Sequence, residues 1–202
     1  MDLGLSGSVV VVTGGSSGIG LACVRVLLEE KARVALCARD ATRLAAVSAE
    51  LAAEFGSDRV FAAACDVTRA EAVQAFRDGV HKAFGRVDAL INNAGQGRQS
   101  TFADTSDEAW REELELKFFS QIHMIRAFEP ILRDSEHPAI VGVNSLLAYQ
   151  PEPHMVCTSA ARAGVQNLLK SLARELAPRI RVNSILLGLV DSGQWQRRFE
   201  AS

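Results

Sequence analysis

A run of β-branched apolar residues, Val9–Val12, ends at Thr13 and is followed by three glycines spaced G-x-x-x-G-x-G at Gly14, Gly18 and Gly20. Leu21–Leu28 then reads as a helix. A buried strand, a glycine-rich turn and a helix start, in that order, build an anion site. The turn lets backbone N–H groups approach a diphosphate, and the positive end of the helix dipole faces it. Gly14 permits the turn, Gly18 the close approach of a phosphate, and Gly20 the packing of helix on strand. Ser16 and Ser17 offer hydroxyls to phosphate or ribose, or else cap the helix. The chemistry indicated is binding of a dinucleotide; the competing reading is a sharp strand–helix turn with no ligand.

A second apolar run ends Leu36-Cys37-Ala38-Arg39-Asp40. The end of this strand in dinucleotide folds meets the adenosine ribose, where an acidic residue favours a free 2′-hydroxyl and an arginine accommodates a 2′-phosphate. Ala38 occupies the acidic position and Arg39 follows, with Arg43 one helical turn on. A guanidinium grips phosphate with two N–H groups, so NADP(H) is favoured over NAD(H). Asp40 reads as a helix N-cap, with ribose binding as the alternative. Asp66, before Val67, reads as an acceptor for the adenine amino group, as the cap of the helix that follows, or as both. At Asn92-Asn93-Ala94-Gly95 small residues let the backbone pass close to a ribose, and the Asn pair can tie neighbouring strand ends together.

These residues must be held by an alternating series of elements. Strands are expected at Val9–Thr13, Arg33–Cys37, Val60–Ala64, Ala89–Asn92, Ala139–Asn144 and Arg181–Leu186. Helices are expected at Gly18–Lys31, Ala41–Phe55, Arg69–Phe84, Asp107–Leu132 and Met155–Ala177. This pattern implies an α/β, Rossmann-type, doubly wound parallel sheet flanked by helices on both faces, with ligands beyond the carboxyl ends of the strands. A single domain over residues 1–202 is expected.

Composition excludes several classes. The chain of 202 residues is 48% hydrophobic, with a net charge of −2. That balance argues against nucleic acid or an anionic membrane as a main partner. No apolar run approaches the roughly 18 residues needed to span a bilayer, and MDLGLSGS shows no basic region ahead of an export signal. The four cysteines, Cys23, Cys37, Cys65 and Cys157, are widely spaced in apolar surroundings. They read as core residues rather than metal ligands or disulfides, which makes a reducing, cytoplasmic setting the default.

TGGSSGIG, the CDV at Cys65–Val67, the NNAG at Asn92–Gly95 and the RVNSI at Arg181–Ile185 together resemble the short-chain dehydrogenase/reductase family. The likeness runs in register over nearly the whole chain. It implies hydride transfer to or from a carbonyl or alcohol carbon of a small molecule, and a nicotinamide cofactor held by Gly14, Ser16, Ser17, Gly18, Ile19, Gly20, Arg39, Asp66, Val67, Asn93, Ala94 and Gly95. It adds Gly188, near the nicotinamide amide, and Ser192, near a phosphate. It also implies a homodimer or homotetramer built on the two long helices. Family members continue into a substrate loop and a last edge strand, so the chain reads as ending inside that loop. Trp195, Arg197 and Arg198 read as a solvated helix or as the mouth of a substrate pocket.

The family's catalytic set is Ser, Tyr and Lys, with an Asn on the preceding long helix. Ser145 matches the serine. Thr158 stands where Tyr belongs, Arg162 where Lys belongs, and Lys117 where Asn belongs. A tyrosine phenol titrates near 10 and a neighbouring ammonium lowers it toward neutrality. A threonine hydroxyl is far less acidic, and arginine stays charged. Arg162 still suits ribose hydroxyls, and Ser145 and Thr158 still suit a substrate oxygen. For the missing proton donor the residues offer Lys117, its pKa depressed by burial beside Arg162, then Tyr149 and His154. The competing reading is that Lys117 merely fills the Asn site or pairs with Glu113 or Glu115. The competing function is a dinucleotide-binding sensor or structural protein without dehydrogenase activity.

Overall fold

The computed structural model describes residues 3–190 and contains one six-stranded sheet, all parallel, in the order β3-β2-β1-β4-β5-β6. The strands are β1 (Val9–Thr13), β2 (Arg33–Ala38), β3 (Val60–Ala64), β4 (Ala89–Asn92), β5 (Ala139–Ser145) and β6 (Arg181–Leu187). The helices are α1 (Gly18–Glu29), α2 (Ala41–Phe55), α3 (Ala70–Phe84), α4 (Asp107–Leu114), α5 (Ser120–Leu132) and α6 (Val156–Glu175). Every strand begins at the residue that the hydrophobic pattern indicates, because short apolar runs between helical segments leave little latitude.

Strand order reverses between β1 and β4. The chain moves outward from β1 through β2 to β3, crosses back to β4 beside β1, and moves outward the other way to β6, which opens a gap above the strand ends between β1 and β4. Burial follows the period of two. Val9 and Val11 with Ala35 and Cys37 join the core under α3, α5 and α6, while Val10 and Val12 with Val34 and Leu36 join the core under α1 and α2. All five residues of β1 are buried, as a strand covered on both faces requires.

The foot of the sheet is clamped by Asp88. Its carboxylate accepts from the amide of Val9 at 2.8 Å, from Ser135 Oγ at 2.6 Å and from Arg86 Nη2 at 2.5 Å. Its backbone continues the tie, donating to Val9 O at 2.8 Å and accepting from Ala139 N at 3.1 Å. One residue thus ties the starts of β1, β4 and β5 together.

The long helix expected over Asp107–Leu132 is interrupted. Between α4 and α5, Glu115–Phe119 forms a π-helical turn. One extra residue in a turn rotates the following side chains inward, and such turns recur at functional sites. Here the turn carries Lys117, whose side chain is wholly enclosed. Among the described residues no helix is long and apolar enough to cross a membrane.

Candidate active site

A cleft of about 760 Å³ lies over the carboxyl ends of the strands, at the gap between β1 and β4. One end is lined by Gly14, Ser16, Ser17, Gly18 and Ile19, with Cys37 to Arg39 and Arg43 beside them. Asn93, Ala94 and Gly95 line the middle. Ser145, Thr158, Arg162 and Gly188 line the far end. Two patches of chain separated by more than a hundred residues thus meet over one crevice.

The β1–α1 turn is built as its glycines require. Gly14 and Gly18 have φ of +68° and +53°, the left-handed region that favours glycine. A Cβ on Gly18 would meet nothing within 4 Å, so the space over the turn is open. Gly20 is tight for a different reason: a Cβ there would sit 2.2 Å from Gly14 O and 2.5 Å from Asn93 Nδ2. The Ser17 side chain does not cap α1. The amides at the helix start are therefore not satisfied by that hydroxyl, and they lie at the positive end of the dipole. Open space, left-handed glycines and an uncapped helix start fit a diphosphate.

Thr13 and Asn93 join the two halves of the crevice. Thr13 Oγ1 accepts from the amides of Asn93 and Ala94, each at 2.9 Å, and Asn93 Nδ2 donates to Thr13 O at 3.0 Å. The strand-end tie expected of the Asn pair is made by Asn93; the side chain of Asn92 is buried without a partner.

The acidic residues near the adenosine end have local employment. Asp40 caps α2, accepting from the Arg43 amide at 2.9 Å, and pairs with Arg43 Nη2 at 2.9 Å. Asp66 accepts from the amide and the hydroxyl of Thr68 at 3.0 and 2.7 Å. Burial pushes its carboxyl up, but Thr68 and then Arg39 and Arg69 more than offset this and hold it below the usual carboxylate range. Its neighbours Cys65 and Val67 line the cleft, whereas Asp66 is not among the lining residues. Arg39 stands at the cleft wall, and its charge reaches Asp66.

At the far end, Arg162 Nη1 donates to Val143 O at 2.9 Å, and a Cβ on Gly95 would lie 3.3 Å from Nη2. Its Nε is shut off from solvent without a partner. Burial lowers the guanidinium below the ordinary arginine value, with Glu113 opposing. Ser145 Oγ accepts from the Leu147 amide at 3.2 Å and so opens the short helical turn that follows β5.

Thr158 is buried and is held from two sides. Its Oγ1 donates to Glu113 Oε2 at 2.7 Å and accepts from the Arg98 amide at 3.3 Å. The same carboxylate oxygen accepts from Lys117 Nζ at 2.6 Å, one helical turn along. Glu113 is only 3% exposed. Lys117 does not line the cleft; it lies behind Thr158, with Glu113 between. Burial depresses the lysine, Glu113 raises it, and Arg162 and Arg98 lower it further; the net direction is down.

Sequence reasoning named Glu113 only as a partner for Lys117 and missed its bond to Thr158. The i, i+4 spacing of Glu113 and Lys117 was the available signal for the first contact. The other two candidates for a proton donor lie apart. Tyr149 is 64% exposed and outside the cleft lining, and His154 lines a neighbouring polar hollow of about 420 Å³. Ser192, Trp195, Arg197 and Arg198 fall outside the described residues. Cys37, Cys65 and Cys157 are buried and Cys23 is half-buried, all as free thiols.

Comparison with known proteins accords with this geometry. The family description "short chain dehydrogenase" matches residues 8–202. The chain is 33% identical over 196 residues to 11-beta-hydroxysteroid dehydrogenase A of Sesamum indicum, covering 96% of this chain and 56% of that one. Among solved structures, it is 62% identical, with a TM-score of 0.93, to the NADPH-bound short chain oxidoreductase of Pseudomonas aeruginosa PAO1 described as containing an atypical catalytic center; the match covers 96% of this chain and 76% of the other. L-sorbose reductase of Gluconobacter frateurii, solved with NADPH and L-sorbose, gives 36% identity and a TM-score of 0.94 over 98% of this chain and 75% of that one. The chain therefore spans between about half and three quarters of the length of these relatives.

Proposed function

The chain belongs to the short-chain dehydrogenase family, and from that membership we propose that it is an NADP(H)-dependent oxidoreductase acting on a carbonyl or alcohol carbon of a small molecule, with Thr158 and Arg162 in place of the family's tyrosine and lysine. The observation that carries the proposal is the single cleft that joins the Gly14–Gly18 turn to Ser145, Thr158 and Arg162.

The residues divide the work by position. Backbone amides at the start of α1 and the hydroxyls of Ser16 and Ser17 hold the diphosphate. Arg39 engages a 2′-phosphate at the wall of the cleft, which favours NADP(H). The NADPH-bound relatives support this preference. Asn93, Ala94 and Gly95 let the backbone pass beside the second ribose. Arg162, as a fixed cation against Gly95, donates to its hydroxyls. When bound, the reduced nicotinamide supplies a hydride with two electrons. Ser145 and Thr158 hydrogen-bond the substrate oxygen and hold the reacting carbon toward that ring. Lys117 keeps a proton one residue removed from the cleft.

The test pairs binding with turnover. NADPH fluorescence is titrated with the protein, and a panel of small ketones, aldehydes and sugars is then followed by NADPH oxidation. Tight binding with turnover of at least one compound is expected. Tight binding with none turned over would favour the sensor reading, and no binding would remove both.

A further inference from the structure

Thr158 poses a chemical problem. The residue lines the cleft where a proton must be given or taken, yet an aliphatic hydroxyl has no useful pKa near neutrality. A hydroxyl of this kind works only as a conduit, with a titratable group on its other side. Glu113 is that group: 45 residues earlier in the chain, it has one carboxylate oxygen 2.7 Å from Thr158 Oγ1 and 2.6 Å from Lys117 Nζ.

We propose that Thr158, Glu113 and Lys117 form a proton line in which Glu113 passes a proton between the enclosed ammonium of Lys117 and the hydroxyl of Thr158 at the cleft wall. The proposal rests on the oxidoreductase reading and supplies its missing acid/base. Glu113 touches neither substrate nor cofactor; it positions Thr158 and acts through it.

In carbonyl reduction the carbonyl carbon gains a C–H bond from the dinucleotide's hydride, and the C=O π pair moves onto oxygen. That oxygen takes the Thr158 hydroxyl proton. Thr158 Oγ1 takes the proton of the Glu113 carboxyl, which has come from Lys117. The dinucleotide is oxidised by two electrons, the carbonyl is reduced to an alcohol, and Lys117 is left neutral. Water entering after product leaves returns one proton along the same line. Alcohol oxidation runs the steps backward from the neutral lysine: Thr158 Oγ1 takes the alcohol proton while its own proton passes through Glu113, to which it already donates, to Lys117.

The geometry also explains why the line is shut in. Lys117 has no exposed side-chain surface and Glu113 only 3%. The groups that face the ammonium are Glu113 from α4, Arg162 from α6, and Arg98 from the loop after β4. Arg98 is itself paired with Glu112 at 2.6 Å, and Cys157 also lies near it. Burial and the two arginines push the lysine down, so reduction needs the protonated lysine and slows as pH rises through a value below that of an ordinary lysine.

Glu113→Gln keeps the shape and cannot pass a proton to Thr158. The expected result is a fall in kcat of about 100-fold or more, a Kd for NADPH within about twofold of native, and loss of the high-pH limb of the reduction profile. Glu113→Gln together with Lys117→Leu removes both charges, so no buried ammonium is left uncompensated, and it is expected to be equally slow. Thr158→Val is expected to be inactive and Thr158→Ser to recover much of the rate. Independently of turnover, carbon-13 NMR of the lysine side chains in the ligand-free protein is expected to show Lys117 titrating lower in Glu113→Gln than in native. A folded Glu113→Gln enzyme with native kcat and pH profile overturns the proposal, as does one that loses only thermal stability. A native protein that binds NADPH and reduces no carbonyl overturns the oxidoreductase reading itself and the line with it, and is told apart by the native control.

Discussion

Replacing Gly20 by alanine tests the cofactor turn without touching a charged group. The position is helical, so the substitution should gain up to about 1 kcal/mol from helix propensity alone. The structure predicts the opposite sign. The new Cβ would lie 2.2 Å from Gly14 O and 2.5 Å from Asn93 Nδ2. Carbon and oxygen in contact stay near 3.4 Å, so the carbonyl must yield by about 1.2 Å. Neither neighbour yields readily, because Gly14 O is backbone and Asn93 Nδ2 is engaged with Thr13 O at 3.0 Å. Overpacking of this kind costs about 1–3 kcal/mol, and backbone against backbone belongs at the upper end. Subtracting the helix gain leaves about 2 kcal/mol of destabilisation, or roughly 4–8 °C in Tm for a chain of this size. NADPH affinity is expected to fall at least tenfold, since a loss of about 1.4 kcal/mol suffices and the displaced atoms are those that shape the turn. Gly18→Ala separates the two effects: no protein atom lies within 4 Å of its Cβ, so folding loses only about 1–2 kcal/mol to the left-handed backbone at φ +53°, while NADPH affinity falls because the Cβ enters the space assigned to the phosphate. Differential scanning calorimetry and fluorescence titration measure both quantities. A Gly20→Ala protein as stable as native with unchanged NADPH affinity would refute the packing argument.

Three further outcomes are expected. Arg39→Ala should weaken NADPH binding by about 10- to 100-fold, the loss of one or two charge-assisted hydrogen bonds, and leave NADH binding unchanged; titration with both dinucleotides checks this. Ser145→Ala should lower kcat by about 100-fold with little change in the Kd for NADPH, as loss of one donor to a developing oxyanion does; initial rates and binding isotherms separate the two. Asp88→Asn should cost about 1–3 kcal/mol at pH 7 by turning an acceptor of three donors into a mismatched amide. Burial pushes the Asp88 carboxyl up, but Arg86, Ser135 and the Val9 amide outweigh it, so the folded-state pKa is depressed. Its contribution is therefore present above the unfolded carboxylate value of about 3.9 and lost as pH falls through the lower folded value. Urea denaturation of native and variant should differ at pH 7 and converge on acidification.

The strands were legible because most are short apolar runs closed by a turn residue, and parallel strands covered on both faces admit few alternatives. The glycine turn was legible because positive φ and close approach both demand glycine. Asp40 was correctly read as a cap, since an Asx residue just ahead of a helix satisfies an amide that nothing else reaches; the cap expected of Asp66 is not made, because α3 starts at Ala70 with Arg69 at its N-cap and Asp66 instead closes a turn onto Thr68 two residues on. The π-turn at Glu115–Phe119 was not legible: Glu115-Leu116-Lys117-Phe118-Phe119 keeps a helical apolar pattern, and a single extra residue leaves no signature in period 3.6. The bond between Glu113 and Thr158 was not legible for another reason. It joins α4 to α6 across 45 residues and depends on how the two helices pack, which periodicity does not encode. Lys117 was read as buried beside Arg162 with a depressed pKa, and the direction agrees, but its enclosure behind Thr158 depends on the turn that sequence did not reveal.

The most direct test of the central claim is to follow the hydride itself. NADPH carrying deuterium at the transferring position of the nicotinamide is incubated with the protein and a carbonyl compound found to be consumed, and the product alcohol is analysed by mass spectrometry. The account predicts one deuterium on the former carbonyl carbon, released at a rate that Thr158→Val abolishes. NADPH bound in the cleft with no deuterium passed to any product would contradict it.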